Sequence, residues 1–345
     1  GRQYGVAAAA RIGRSLDAYR EIFRHYAGWD WAQVRREAEA YRAAIRSFHP
    51  DSLEEIAGVA EGAGVDDVDV LAINTRTEVM YAAIARAERD ARPPHECSSF
   101  ALLPPATRQG RLLVGQTWDW LPHALETVVV LEAEREDGPS YVTVVEAGLL
   151  AKAGLNGAGL AVCANALVSF DDVGRPAVPF HVLLRALYDA ENLPGALATL
   201  QAAERSSSAN YLLGHGPAAV DVEGAPGDFT RLFLHFPDDD GVLVHTNHFL
   251  SPAMAGRDVS PKNMPSSPFR LDRLGRLLRA SLPLDVDGAA AALSDHAQYP
   301  DAICCHPDAS LHPTEQGVSA AALVIDPERR VLHLADGPPC STPLR

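Results

Sequence analysis

The residue best placed to act as a nucleophile in this sequence is Cys97, which ends the short stretch 93–97, PPHEC. Two consecutive prolines stop a helix from continuing, and residues 98–103 predict a strand that leaves the cysteine. The thiol therefore sits at a predicted helix-to-strand boundary. Because a cysteine within a chain is most often a small buried hydrophobe, its polar surroundings decide whether it does chemistry.

Three further stretches carry polar residues that such a thiol would need. Asp119 lies in GQTWDW, residues 115–120, which follow one predicted strand and a turn. Asn247 lies in HTNH, residues 245–248, where another predicted strand ends and polar groups are well placed for chemistry. Asn156 lies in KAGLNGAGL, residues 152–160. Strand-like residues follow that stretch instead of a helix, so it predicts a hairpin and not a nucleotide-binding loop.

The elements that must position these residues change type at Cys97 itself. From about residue 11 to 90 the apolar residues recur at helical spacing, and after the cysteine Val- and Leu-rich runs predict strands. Two helices follow at 179–190 and 193–204, then more strands, and then a helix at 269–280 whose four arginines predict a solvated face. This order is typical of a layered α+β protein. The arginines are Arg270, Arg273, Arg276 and Arg279.

Composition excludes several classes of partner. The formal net charge of -15, without any basic run interleaved with aromatic residues, disfavours nucleic acid. No apolar stretch reaches the length of a membrane span, so we expect no membrane partner. The five cysteines are an odd number and form no CxxC pair, which favours a reducing compartment, and we expect a cytoplasmic protein.

Five motifs occur in the order found in a known family. They are ECSS at 96–99, GQTWDW at 115–120, NGAGL at 156–160, HTNHF at 245–249, and Asp295-His296 with Tyr299-Pro300. Together they resemble the N-terminal-nucleophile hydrolases, and among them the isopenicillin-N acyltransferase-like (acyl-coenzyme A:6-aminopenicillanic acid acyltransferase-like) cysteine enzymes. The resemblance covers nearly the whole chain. It implies an α+β fold, an αββα four-layer sandwich preceded by a helical N-terminal segment.

The resemblance also implies a precursor that cuts itself between Glu96 and Cys97. Residues 1–96 would then form a helical α fragment, and residues 97–345 the catalytic β fragment, with the two fragments remaining partners. A free α-amine has a pKa of about 7.7 to 8.0 and a thiol one of about 8.5. Cys97 as a new N-terminus would therefore supply both base and nucleophile.

In the terms of this resemblance, three further residues complete the site. Asp119 would orient the α-amine, Asn247 would point its side-chain amide at the oxyanion, and Asn156 would contribute its backbone N–H. Relatives often pair the aspartate with an arginine that follows an Ile-Cys pair, and here Cys305 stands at that position. Arg76 and Arg185 are candidates to replace this cation.

The function implied is acyl transfer or hydrolysis through a Cys97 acyl-enzyme, from a small-molecule amide or thioester to water or an amine. No cofactor is expected, although acyl-coenzyme A is a possible substrate. Two alternatives stay open: a non-catalytic binding protein on the same fold, and a metal-dependent hydrolase. The metal ligands of that hydrolase would be His245, His248, His296 and His306 with Asp295 or Asp308.

Overall fold

The computed structural model describes residues 1–87 and 96–345. Helices fill the N-terminal part as the sequence predicts, while the predicted stop at Pro93-Pro94 lies outside the described residues. Among the helices described, none is both long enough and apolar enough to pass through a bilayer. Those of the N-terminal part are α1 (Arg2–Ala27), α2 (Trp31–Glu39), α3 (Arg42–Phe48), α4 (Pro50–Ala63), α5 (Asp67–Asn74) and α6 (Arg76–Ala87).

The remaining elements alternate between strands and short groups of helices. The strands are β1 (Glu96–Leu102), β2 (Leu113–Trp120), β3 (Val128–Ala133), β4 (Tyr141–Glu146), β5 (Ala153–Asn156), β6 (Ala161–Ala166), β7 (Ala209–His215), β8 (Ala218–Gly224), β9 (Leu232–His235), β10 (Val242–His245), β11 (Val318–Asp326) and β12 (Val331–Ala335). The helices are α7 (Ala124–Thr127), α8 (Phe180–Leu187), α9 (Leu193–Ala202), α10 (Ser260–Asn263), α11 (Ser267–Ala280) and α12 (Val286–Leu293).

The strands within the described residues form two antiparallel sheets. One has five strands in the order β10-β1-β2-β11-β12, so the strand that carries Cys97 lies inside it with a neighbour on each side. The other has seven strands in the order β3-β4-β5-β6-β7-β8-β9. Its β5–β6 pair is a hairpin, which confirms the prediction for the glycine-containing stretch.

Helices cover the outer face of each sheet. Leu183 and Leu187 of α8 and Leu200 of α9 pack in one apolar cluster with residues of the seven-stranded sheet. Leu274 and Leu278 of α11 pack in another cluster with residues of the five-stranded sheet, as do residues of α12. The inner faces of the two sheets pack on each other through β1 and β6. The predicted α+β fold with an αββα four-layer sandwich is confirmed.

The N-terminal helices share a core with the sheets. Ile12 and Leu16 of α1 belong to the same buried apolar cluster as Val114 and Trp118 of β2. Burial of such side chains contributes about 1.5–3 kcal/mol each, so this contact ties the helical segment firmly to the sandwich. The division into fragments 1–96 and 97–345 stays a prediction, and cutting there would leave the shared core in place.

Candidate active site

Cys97 is the second residue of β1, and that strand runs continuously across the Glu96–Cys97 junction. Cys97 pairs with Trp118 of β2, and Glu96 pairs with Asp119. Cys97 is buried and belongs to the apolar cluster between the sheets. The predicted nucleophile therefore sits at the centre of the molecule, at the end of an inner strand.

The backbone nitrogen of Cys97 is held by a second predicted site residue. Cys97 N–H donates to Asn247 Oδ1 at 2.7 Å, and Arg270 Nη2 donates to the same oxygen at 2.9 Å. Asn247 Nδ2 donates to the Ala166 carbonyl at 3.0 Å, which fixes the orientation of the amide. Asn247 lies two residues beyond the end of β10, so the pairing of β10 with β1 brings it to Cys97.

The carbonyl of Cys97 is also fixed. Arg270 Nη1 donates to it at 2.8 Å and Asn165 Nδ2 at 3.3 Å, while Arg270 Nη1 also donates to Ser98 Oγ at 2.9 Å. The prediction that Arg270 lies on a solvated face is wrong, since this side chain is buried. Each residue of an α-helix is rotated by about 100° from the one before it. Arg270 and Arg279 are nine positions apart, so their side chains lie on opposite sides of α11.

Asp119 is held by hydroxyl groups. Ser319 Oγ donates to Asp119 Oδ1 at 2.6 Å, and Ser319 Oγ in turn accepts from the backbone N–H of Cys305 at 2.9 Å. Thr117 Oγ1 donates to Asp119 Oδ2 at 3.5 Å. The backbone of Cys305 thus supports the aspartate through Ser319, at the position where the resemblance leads one to look for an arginine.

The two candidate replacement arginines have other carboxylate partners. Arg76 pairs with Glu146, and its guanidinium lies 4.5 Å from the centre of the Trp120 ring. Burial favours the neutral form of Glu146, but Arg76 and then His123 outweigh it and lower the pKa of Glu146 to about 2. Arg185 pairs with Glu55 and Asp189. Arg76 nevertheless lines the same cavity as Cys97, and it places a buried charge there.

A small cavity lies beside the thiol. Its volume of about 20 Å³ is enough for one water, and Cys97, Asp119, Trp118, Lys152 and His181 are among its lining residues. Burial raises the pKa of the Cys97 thiol, Lys152 opposes that rise, and Asp119 adds to it. Burial also lowers the pKa of Lys152, whose Nζ lies 5.0 Å from the centre of the Trp118 ring.

Asn156 makes its hydrogen bonds within the β5–β6 hairpin and to the end of α8. Its backbone N–H donates to the Leu160 carbonyl at 3.0 Å, so it is already used inside the β5–β6 hairpin. Its Oδ1 accepts from the backbone N–H groups of Ala158 and Leu160, and its Nδ2 donates to the carbonyls of Tyr188 and Ala190. Asn156 therefore closes a turn and anchors the end of α8, and its backbone N–H is already used as a donor in that turn.

The histidines of the metallohydrolase alternative divide into separate environments. His245 Nε2 contacts Glu223 at 2.9 Å; burial favours its neutral form, but Asp221 and Glu223 raise the pKa of His245 to about 9. His248 Nδ1 contacts Ser267 Oγ at 2.8 Å, and burial lowers its pKa to about 4. His296 and His306 lie together, 3.0 Å apart between their Nε2 atoms. Asp295 pairs with Arg273 instead of joining them.

Sequence reasoning missed four residues that contact or face Cys97 or Asp119. Lys152 is one of two lysines in a chain with 30 basic residues, and it interrupts an apolar run, which is a signal for a special role. Arg270 shares its helical spacing with Leu274 and Leu278, which predicts burial. No sequence signal marks the remaining two, Asn165 and Ser319.

Comparison with known proteins defines the class to which this fold and site belong. The αββα sandwich with a cysteine on an inner strand is the architecture of an N-terminal-nucleophile hydrolase. Residues 106–335 match the family model of acyl-coenzyme A:6-aminopenicillanic acid acyl-transferase, which is about two thirds of the chain. The chain belongs to this family, and it is therefore an enzyme of the acyltransferase kind.

The sequence identity between this chain and individual relatives is low. The acyl-coenzyme A:6-aminopenicillanic-acid-acyltransferase 40 kDa form of Emericella nidulans is 26% identical over 310 residues, which cover 88% of this chain and 81% of that protein. The N-acylethanolamine-hydrolyzing acid amidase ortholog of Caenorhabditis elegans has a TM-score of 0.47 at 14% identity, covering 67% of this chain and 93% of that chain. Penicillin V acylase of Agrobacterium tumefaciens has a TM-score of 0.45 at 14% identity, covering 70% and 83%.

Proposed function

We propose that this protein is a self-processing cysteine enzyme that forms an acyl-enzyme on Cys97 and passes the acyl group to water or to an amine. The observation that carries the proposal is the 2.7 Å hydrogen bond from Cys97 N–H to Asn247 Oδ1, beside a cavity that the thiol lines. Cleavage of the Glu96–Cys97 bond converts that nitrogen into a free α-amine. One buried residue would then carry both the base and the nucleophile.

The first reaction is the cut itself. The Cys97 thiol loses its proton, and its sulfur adds to the carbonyl carbon of Glu96. The C–N bond to Cys97 breaks and the nitrogen takes a proton, which leaves a thioester between Glu96 and Cys97. Water adds to this thioester and the C–S bond breaks, giving a carboxylate on Glu96 and a thiol with a free α-amine on Cys97. The neighbouring cavity has room for that water.

In the uncut chain, where no α-amine exists yet, we assign Lys152 as the group that accepts the proton of the Cys97 thiol. It lines the cavity with Cys97, and burial lowers its pKa, so that its neutral form can accept a proton. Its protonated form then stabilises the thiolate, because a nearby cation lowers the pKa of the thiol. In this role the protonated Lys152 replaces the charge of the arginine that relatives often carry at the position of Cys305.

The second reaction uses the new N-terminus. Its α-amine takes the thiol proton, and Asn247 Oδ1 orients the amine by accepting one of its hydrogens. Asp119, which pairs with the residue before Cys97, assists this orientation. The sulfur attacks the acyl donor, whose amine or thiol leaves with a proton, and the resulting thioester is opened by the acceptor. Asn247 Nδ2 has a second hydrogen besides the one given to Ala166, and we assign it to the oxyanion.

The substrates that we propose are small molecules. An acyl group enters from an amide or from an acyl-coenzyme A thioester, and it leaves on water or on an amine, without a further cofactor. The names of the relatives support both modes, since they include an acyl-coenzyme A-dependent acyltransferase and a penicillin acylase. After the cut we expect the two fragments to stay associated through their shared core. A reducing compartment such as the cytoplasm would keep the five thiols free.

The test is an intact-mass measurement on the acyl-enzyme. Purified protein is mixed with a panel of N-acyl amides and acyl-coenzyme A thioesters, quenched in acid and analysed with and without an added amine acceptor. We expect one acyl group on the fragment that begins with Cys97, and its loss to water or to the amine separates hydrolysis from transfer. A Cys97→Ala variant, which has no nucleophile at this position, provides the control for non-specific acylation. Turnover with acylation at another residue, or with no covalent intermediate, would contradict the proposal.

A further inference from the structure

Four potential metal ligands meet at the edge of the five-stranded sheet, outside the Cys97 cavity. His296, Cys304, His306 and Cys340 each offer one ligand atom, and these four atoms all lie within 4.8 Å of one another. His306 Nε2 lies 3.0 Å from His296 Nε2, 3.5 Å from Cys304 Sγ and 3.5 Å from Cys340 Sγ. None of the four lines the Cys97 cavity. We call them the His2Cys2 cluster.

The loop that supplies three of the ligands is folded back on itself by its backbone. The N–H of Tyr299 donates to the carbonyl of His296 at 3.0 Å, and that of Cys304 donates to the carbonyl of Asp295 at 3.0 Å. The N–H of His306 donates to the carbonyl of Pro300 at 3.1 Å. These hydrogen bonds fix the backbone of the loop, so the peptide chain itself brings the three ligand residues close together.

The fourth ligand comes from the C-terminal tail, which is also anchored. Arg345 and Leu334 exchange two backbone hydrogen bonds of 3.0 Å, and the N–H of Ser341 donates to the Pro338 carbonyl at 3.1 Å. These contacts fold the tail beside β12 and present Cys340 to the loop. Two segments separated by more than 30 residues thus converge on one point, as the ligands of structural metal sites commonly do.

We propose that the His2Cys2 cluster binds a structural Zn²⁺ ion. Two thiolates and two imidazoles form the tetrahedral donor set that zinc prefers. Zinc with bonds of about 2.0–2.3 Å places its ligand atoms roughly 3.3–3.8 Å apart, so the observed distances around His306 need only small adjustments. Four protein ligands leave no position for water or substrate. The ion would therefore tie the loop to the tail and take no part in hydrolysis.

The proposed ion would lie next to the residues that hold Asp119 in place. Cys304 is a ligand, while the backbone N–H of Cys305 donates to Ser319 Oγ, which donates to Asp119. Binding of Cys304 to the ion would therefore restrict the motion of the neighbouring peptide group of Cys305, which holds Ser319 and through it Asp119. These hydrogen bonds connect the His2Cys2 cluster to the site around Cys97.

Metal analysis of the full chain, purified without chelators, tests the proposal. We expect stoichiometric zinc in the wild-type protein, loss to background in Cys340→Ser and His306→Ala, and full retention in Cys305→Ser. Cys305 is the matched control because its thiol faces Gly317, 3.1 Å from where a Cβ of that glycine would lie. After chelation, added Co²⁺ should give the intense visible absorption of tetrahedral cobalt with thiolate ligands.

Chelation of the wild-type protein does not depend on how any variant folds, since Cys340 is exposed and the unmutated chain is compared with itself. We expect the melting temperature to fall on chelation and to recover with zinc. Wild-type protein that takes up neither zinc nor cobalt above the level of Cys340→Ser would overturn the proposal. So would a mass deficit of two hydrogens assigned to a Cys304–Cys340 disulfide in freshly purified protein.

Discussion

Two groups of cysteines in this molecule have opposite surroundings. The Cys97 thiol lies on an inner strand, beside Lys152 and a cavity with room for a water. The Cys304 and Cys340 thiols lie on a loop and a tail, and both face His306 at 3.5 Å. The cation beside Cys97 favours its thiolate against the opposing effect of burial, whereas two imidazoles beside two thiols favour a bound metal. The neighbours of each thiol decide between nucleophile and ligand.

Adjacent residues mark the border between the two sites. Cys304 belongs to the His2Cys2 cluster, while the backbone of the next residue, Cys305, supports Ser319 and through it Asp119. Consecutive residues therefore belong to the proposed metal site and to the contacts that hold the proposed catalytic site. Substitutions on either side of this border can separate the two functions.

Replacement of Cys97 should have the largest effect. Cys97→Ala removes both the nucleophile and the source of the α-amine, so we expect a single uncut chain whose turnover falls by at least ~10³-fold. Denaturing electrophoresis and steady-state kinetics measure the two consequences. The zinc content should stay at the wild-type level, because the cluster does not include Cys97. A cut or active Cys97→Ala protein would refute the assignment of the nucleophile.

Loss of the Asn247 side chain should come next. Asn247→Ala removes the acceptor of the Cys97 N–H and the proposed oxyanion donor, and we expect kcat to fall by about 10²–10³-fold. Asn192→Ala provides a matched control, because Asn192 only caps α9 by accepting from the Gly195 N–H. Kinetics on protein that has already been cut separate turnover from processing. Turnover near that of the control would remove Asn247 from the site.

Loss of the Lys152 charge should have an intermediate effect. Burial raises the pKa of Cys97, and Lys152 opposes that rise, so Lys152→Met should raise this pKa further. In protein that has already been cut, the thiolate would then form only at higher pH, which moves the acidic limb of the kcat/KM profile to higher pH and lowers the rate at neutral pH about tenfold. The cut itself should also be slower in this variant, because Lys152 accepts the thiol proton in that step. Lys152→Arg, which keeps the charge, should restore part of the rate. An unmoved pH profile in Lys152→Met would exclude this role.

The smallest effect is expected at Cys305. Its backbone, and not its thiol, supports Ser319, so Cys305→Ser should change kcat/KM by less than about twofold. Labelling with a thiol-directed acyl donor provides a second readout on the same protein. We expect the label on Cys97, and stoichiometric modification of Cys305 would reverse the roles of the two residues.

Local sequence patterns were sufficient to predict a layered α+β protein, whereas the αββα sandwich was implied by the resemblance to the N-terminal-nucleophile hydrolases. The change from helical spacing to Val- and Leu-rich strands occurs near Cys97 in both sequence and structure, because apolar periodicity follows directly from which face is buried. Asn247 was predictable as a polar residue just beyond a strand. The error at Arg270 came from grouping four arginines by charge, when the spacing to Leu274 and Leu278 places the first of them on the buried face.

The remaining site residues depend on contacts that a single sequence does not encode locally. Asn156 sits in a motif of the right type, but its polar atoms satisfy the hairpin turn and the end of α8. Asn165 and Ser319 reach Cys97 and Asp119 only because strands distant in sequence pair or pack together. The His2Cys2 cluster likewise requires the C-terminal tail to fold beside a loop more than 30 residues earlier.

Sequencing the N-terminus of the mature wild-type protein tests the proposed cut at Glu96–Cys97 most directly. Denatured protein should separate into two pieces, and sequencing of the larger piece should read Cys-Ser-Ser-Phe, the sequence that starts at Cys97. A fully active protein that remains one uncut polypeptide would contradict the account. Cys97 would then lack its own amine as base, and the mechanism would have to use a side chain of the cavity such as Lys152 or His181 throughout.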